Sequence, residues 1–203
     1  MADRVNMFSI VMKTSPPWVD YNNNKTYLGL FRDELSTQIK YAHIAIGHIE
    51  NFKGEYTYHL FFGVQGLLCA LANISKLLDD KVKRNARANN RARKLLLDFQ
   101  IDADKIPLIM NRDLRNTSEH YDERLDEFIE KFPNHLYFDS ISAPGISVQG
   151  AQYKIGRFYN KKTKTIQFMD STITKVNDLK IDKVKAELQY LEMQIKQEAT
   201  PNE

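Results

Sequence analysis

The chain has 203 residues, enough to enclose a sizeable core, and its 42% hydrophobic and 11% aromatic content excludes disorder throughout. A net charge of +3 is too mild to imply a polyanionic partner by itself, so any such reading must come from local clustering. The one cysteine, Cys69, excludes an internal disulfide and fits a reducing, intracellular setting.

Residues 1–24 hold an apolar run over 7–12, then Ser15-Pro16-Pro17-Trp18 and Asn22-Asn23-Asn24, and read as an N-terminal arm packed by Trp18 and Tyr21. The start, Met1-Ala2-Asp3-Arg4, lacks the pattern of a secretory signal, so the expected location is the cytoplasm. Over 26–52, Leu28, Phe31, Leu35, Ile39, Ala42 and Ile46 recur at three- and four-residue spacing, which predicts a long helix ended by Gly54. Residues 56–78 are apolar most of the way round and predict the central helix, in which Gly63 and Gly66 permit close contact. Its most apolar part, 60–72, contains Gln65 and is too short to span a bilayer, so no membrane association is expected.

Residues 81–94 carry seven Lys or Arg and no acid; in a helix Arg84, Arg87, Arg91 and Lys94 share one face. Leu95, Leu96, Leu97 and Phe99 return to the core, and 100–104 reads as a loop. One amphipathic helix is predicted over 104–132, capped by Asp104, with Pro107 near its start and Pro133 and Asn134 to stop it. Leu114, Tyr121, Leu125, Phe128 and Phe132 form its buried stripe, and Asn116, Glu119, His120 and Glu123 the opposite face. Residues 152–159 and 165–174 are β-rich and flank Asn160-Lys161-Lys162-Thr163-Lys164, which predicts a hairpin with a basic tip. A last helix is expected over 178–198, with Leu179, Val184, Leu188, Leu191 and Ile195 inward. The expected organisation is a single, mainly α domain: an arm (1–24), a helical bundle (25–134), a β-hairpin extension (135–176), and a final helix and tail (177–203).

Arg115-Asn116-Thr117-Ser118-Glu119-His120 packs a cation, an amide, a carboxylate and an imidazole into six residues. In an unbroken helix Arg115 and His120 lie about 140° apart around the axis and about 7.5 Å along it, so one helix cannot close them on a single atom. A second copy across a two-fold axis is the simplest way to bring one chain's Arg near the other's His.

An Arg followed by a polar residue, with a His a few positions later on a helix, resembles the R-x4-6-H signature of the HEPN superfamily; here Arg115, Asn116 and His120 match it. The resemblance covers about residues 25–132. It implies an antiparallel helical bundle, a homodimer, and metal-independent endoribonuclease activity in toxin–antitoxin or phage-defence systems, with a neutralising or regulatory protein as a further partner. His120 would then orient or deprotonate the ribose 2′-hydroxyl, or protonate the leaving 5′-oxygen, since an imidazole titrates near neutral pH. Arg115 would hold the scissile phosphate. Asn116, and in a lesser role Glu119, would support them. The product would be a 2′,3′-cyclic phosphate, and DNA, lacking the 2′-hydroxyl, would survive.

The basic residues of 81–94 (Arg84, Arg87, Arg91, Lys94) and of the hairpin tip (Lys161, Lys162, Lys164) are the candidate RNA contacts, because clustered cations favour polyanions by counterion release. The competing readings are a solvated helix face and lysines that keep a hairpin end from pairing with other sheets. Likewise Glu119 has an ordinary alternative as an ion-pair partner of Arg115, and Glu123 of Arg124.

His43 and His48, five apart, miss the i,i+4 geometry of a helical zinc site, and His59 and His135 have no Cys or His at metal spacing. Asp102-Ala103-Asp104 lacks the remaining ligands of a calcium loop, and Walker, G-x-G-x-x-G and G-x-S-x-G elements are absent, so neither metal nor cofactor is expected. The alternative function is a noncatalytic HEPN-like dimer that binds a nucleotide, nucleic acid or protein. A purely structural helical dimer is the third possibility.

Overall fold

The computed structural model describes residues 25–53, 57–82, 85–133, 136–141, 153–169 and 176–197. The arm, Gly54, Arg84 and His135 lie outside them. In chain order the helices are α1 (Lys25–Glu50), α2 (Thr57–Leu78), α3 (Ala86–Asp98), α4 (Arg112–Glu119), α5 (Tyr121–Lys131) and α6 (Ile181–Gln197). The strands, which precede α6, are β1 (Leu136–Ile141), β2 (Tyr153–Asn160), β3 (Thr165–Met169) and β4 (Val176–Lys180). The fold is mainly helical, with a small sheet and a C-terminal helix.

The apolar periodicity of 26–52 and 56–78 produces an antiparallel helix pair. Leu35, Ile39, Ala42, Ile46 and Ile49 of α1 are buried against Leu60, Val64, Leu67, Leu71, Ile74 and Leu78 of α2. α2 is long and apolar enough to cross a membrane, and 61% of its most apolar window is buried inside the fold.

The glycines set the spacing of this pair. A Cβ on Gly63 would lie 3.2 Å from His48 Cβ and Ile49 Cγ1 and 3.3 Å from the Ala45 carbonyl oxygen, whereas one on Gly66 would meet only Ala45 Cβ, at 3.6 Å. Gly63→Ala is therefore expected to destabilise the protein by about 1 kcal/mol or more, overcrowding outweighing the gain in helix propensity. Gly66→Ala should stabilise it by up to about 1 kcal/mol. Urea unfolding of the two variants checks the contrast, which equal stabilities would refute.

The basic segment turns helical later than its charge pattern suggests. Asn85 caps α3 by accepting from the Ala88 amide at 3.0 Å. Before it, Asn89 holds Val82 from both sides, its Oδ1 accepting from Val82 N at 2.9 Å and its Nδ2 donating to Val82 O at 3.1 Å.

The expected hairpin is β2 and β3, joined by a turn in which Asn160 Oδ1 accepts from the amides of Lys162 and Thr163. It belongs to a sheet of order β1-β2-β3-β4, in which β1 runs parallel to β2 and the other neighbours are antiparallel. The last helix consequently starts at Ile181, not 178, because residues 176–180 pair with β3, Leu179 opposite Ile166. Both side chains are buried with Ile181, Val184, Leu188 and Leu191 of α6, in the same cluster as the α1–α2 pair.

At the end of α1, Glu50 receives Lys164 Nζ at 3.2 Å and Lys185 Nζ at 3.1 Å, tying the hairpin turn to α1 and α6. Lys164 itself adopts a left-handed φ of 48°. Burial works to raise the Glu50 pKa, but the hydrogen bonds and charges of Lys185 and Lys164 outweigh it and hold the group below the usual 4.5. A carboxylate with a depressed folded pKa contributes stability above its unfolded pKa and loses it as pH falls through the folded one. Glu50→Gln should therefore flatten the loss of stability below about pH 4.5, read by denaturation across pH. An unchanged acid limb would remove Glu50 from that role.

Candidate functional site

The segment carrying the motif is not one helix. A 3₁₀ turn (Ala103–Lys105) comes first, with Asp102, not Asp104, as its cap, accepting from the Asp104 amide at 3.0 Å. α4 begins only at Arg112, capped by Asn111, whose Oδ1 accepts from Asp113 N at 2.9 Å. The chain then breaks at His120, which has φ −116° and ψ 43°, and resumes as α5. Hydrogen bonds continue on either side, from His120 N to Asn116 O and from Arg124 N to His120 O. The composition explains the break: Asn116, Thr117 and Ser118 are weak helix formers, and Asp122 and Glu123 suit the positive end of a new helix. The hydrogen bond from His120 N to Asn116 O keeps the His120 backbone in helical register with α4, and the break redirects only the chain that follows it.

Two ion pairs fasten α4 to α2. At its start Arg112 donates to Asp79 Oδ1 and to Lys81 O, both at 3.0 Å; Asp79 is buried and also accepts from Lys81 N. At its end Glu119 pairs with Lys76. Leu114, between these fastenings, is buried beneath the helix, and Phe128 does the same for α5.

His120 stands exposed at the junction. Its Nδ1 lies 3.3 Å from Glu123 Oε1, and Nε2 has no hydrogen-bond partner among the described residues. Asn116 is half-buried one turn earlier. The Arg115 side chain lies outside the described residues. Glu123, which the sequence reading paired with Arg124, and Lys76 are the neighbours that reading missed. The i,i+3 spacing of His120 and Glu123 was a legible signal for the first; Lys76 is distant in sequence and gave none.

The candidate RNA contacts separate into two groups. On α3, Arg91 donates to the Lys76 carbonyl oxygen at 3.0 Å and lies 5.0 Å over the Phe31 ring. The basic helix therefore runs beside the residue that anchors Glu119. Arg87 and Lys94 belong to the same helix. The hairpin lysines sit elsewhere: Lys161 lies 5.2 Å over the Phe52 ring, Lys164 is bound to Glu50 and Asp182, and Lys162 is exposed. Gly63 sits against Ala45, His48 and Ile49, so Glu50 is level with the first turns of α2. Lys76 is about four turns, or about 22 Å, further along. The hairpin tip and the motif thus occupy opposite ends of the α1–α2 pair.

His43 Nε2 lies 3.2 Å from Glu192, while His48 and His59 line a depression between α1 and α2. Among the described residues no group of three or more His, Cys, Asp and Glu could hold a metal ion. No family model matches the chain, and neither a curated protein nor a solved structure does.

Proposed function

We propose that the protein is an endoribonuclease of HEPN type, in which Arg115 and His120 act on one phosphodiester. The observation that supports this reading most directly is the state of His120. A carboxylate engages one ring nitrogen, the other has no hydrogen-bond partner among the described residues, and the ring is exposed at the helix break. Such an imidazole is oriented for proton transfer. His120 takes the proton of the ribose 2′-hydroxyl, and the 2′-oxygen attacks phosphorus. The bond from phosphorus to the 5′-oxygen breaks, and that oxygen leaves with a proton drawn from water. Arg115 holds the phosphate and offsets the charge that gathers on its oxygens. Asn116 supports the pair, Glu119 positions the end of α4 through Lys76, and α3 supplies the electrostatic track for the strand. The proposed setting is cytoplasmic defence or toxin regulation, with a protein partner that restrains the activity.

A labelled RNA of mixed sequence, incubated with chelator beside a DNA control, tests the proposal. RNA alone should be cut, leaving 2′,3′-cyclic phosphate ends. Cutting that needs an added metal, or cutting of DNA, overturns the mechanism. The engagement of Glu119 by Lys76 favours a second reading, a noncatalytic HEPN-like dimer that holds a nucleotide, nucleic acid or protein. A folded wild-type protein that retains RNA without cutting it would select that one.

A further inference from the structure

Phe62, Gly66, Cys69, Asn73 and Lys76 recur at four- and three-residue spacing, so these exposed residues form one stripe along α2. From Phe62 to Lys76 the stripe is about 21 Å long. Beside it α1 contributes Tyr41, Ile44 and His48, and between the two helices lie depressions of 360 and 610 Å³. Both are lined by Ile44, His48 and Phe62, so they make one groove. The helices are tied across it by Asn73 Nδ2, which donates to Gln38 Oε1 at 3.2 Å. The fold leaves two of its rings in solvent, Phe62 being 74% exposed and Tyr41 55%.

This groove joins the two groups of cations that the fold otherwise keeps apart. At one end it is lined by Lys53, His59 and Phe52, and Lys161 of the hairpin turn lies 5.2 Å over the Phe52 ring. At the other end the α2 stripe finishes on Lys76, which anchors Glu119 next to His120 and whose carbonyl oxygen receives Arg91 of α3. Among the described residues no Asp or Glu lines either depression; Lys53 supplies a fixed positive charge, and His48 and His59 supply imidazoles. Aromatic rings interspersed with cations, and no acid between them, match a strand of nucleotides. Its bases stack on any aromatic face, and its phosphates require positive charge.

We propose that the groove is the path along which single-stranded RNA reaches the motif. Bases stack on Phe62, Tyr41 and His59, and phosphates meet Lys53, Lys161 and the imidazole N–H of His48. At about 3.4 Å per stacked nucleotide the stripe holds about six nucleotides, and an unstacked strand fewer. The substrate is single-stranded over that length, because bases paired in a duplex offer no free face to a ring. α3 takes the strand where the groove ends. The path rests on the nuclease reading for its end point at His120, and binding along it is measured apart from cleavage.

A labelled RNA of about 12 nucleotides, 2′-O-methylated throughout, cannot be cut by attack of a 2′-oxygen, so its fluorescence anisotropy reads binding alone. Wild type should hold it, and Phe62→Ala, at an exposed position whose folding circular dichroism can verify, should weaken binding about fivefold or more, the loss of one stacked base. Lys53→Glu should weaken it and flatten its dependence on salt. Saturating RNA should also slow the alkylation of Cys69 by a maleimide, a reading confined to the groove because the chain has one cysteine and it is exposed. Adding the complementary strand should return the alkylation rate to that of the free protein. RNA that leaves Cys69 as reactive as before, or that binds both variants as tightly as wild type, overturns the path even if RNA is cut at the motif. RNA held in the groove by a chain that cuts no unmodified RNA upholds the path and overturns the nuclease reading. A chain that holds no RNA overturns the path and leaves another protein as the occupant of the groove.

Discussion

His120→Ala is expected to lower the rate of RNA cleavage by about 10²–10⁴, the range over which a positioned acid–base group contributes. Arg115→Ala should lower it by about 10²–10³, as the loss of a donor to developing charge does. The His120→Ala loss should not come from unfolding, because the ring is 47% exposed and its ion-pair partner Glu123 is more exposed still. Such a pair is worth a few tenths of a kcal/mol, so the thermal midpoint of His120→Ala should stay close to wild type. Glu123→Gln should reduce the rate by a smaller factor, since it removes an orienting contact and leaves the ring. Equal cleavage by wild type and both alanine variants would mean that the chemistry lies elsewhere or that the activity is a contaminant.

Mixing the two alanine variants asks whether the site is shared between chains. If one chain's Arg115 served the other's His120, each mixed dimer would hold one intact pair and activity would return. If each site lies within one chain, the mixture stays inactive. Recovery on mixing would show that one chain's Arg115 serves the other's His120.

The parts of this fold that were legible in the sequence are those set by local pattern. The spacing of Leu35, Ile39, Ala42 and Ile46 gives α1, and Gly63 marks the close approach to His48 and Ile49 that the structure contains. The hairpin was equally local: Asn160 organises its own turn by accepting two amides within three residues. The errors fall where a distant partner decides. Leu179 fits the apolar period of α6 and was placed in it, but Ile166 pairs it into β4, and Gln167 adds a 2.8 Å side-chain bond to Asp178. The stripe from Leu114 to Phe128 reads straight through His120, and apolar spacing alone gave no sign of the break. The weak helix formers before it and the two acids after it were the sign, and they carry less weight than periodicity in a reading of pattern. The candidate site suffers most, because what surrounds it is non-local. Lys76 engages Glu119, and its carbonyl oxygen takes up one of the cations that clustering had marked for RNA, Arg91.

Glu187→Ala should destabilise the protein by about 3 kcal/mol, through the segment that precedes α4. Glu187 lies on the inner side of α6 and is buried; its Oε1 accepts from Leu108 N at 3.1 Å and its Oε2 from Ile109 N at 2.9 Å. These bonds hold the turn that leads from the 3₁₀ segment into α4, with Ile106 and Ile109 packed in the core beneath it. Removing the carboxylate leaves two amides without acceptors, each costing about 1–3 kcal/mol where water cannot reach. The Ile109 amide, whose bond is fully buried, should dominate. Glu187→Gln keeps one acceptor but turns an amide donor toward the other N–H, so it should cost about 2 kcal/mol. It should also change the pH profile. Burial raises the Glu187 pKa above the usual 4.5, against the lowering effect of the Ile109 and Leu108 amides. A carboxyl whose folded pKa is raised stabilises the fold fully below its unfolded pKa and loses that contribution as pH rises through the folded one. Wild-type stability should therefore fall relative to Glu187→Gln as pH rises above about 4.5, the opposite sense to Glu50. Urea denaturation of both proteins at a series of pH values measures the difference directly. A Gln variant within about 0.5 kcal/mol of wild type at every pH would mean that the turn finds other acceptors and that Glu187 does not hold it.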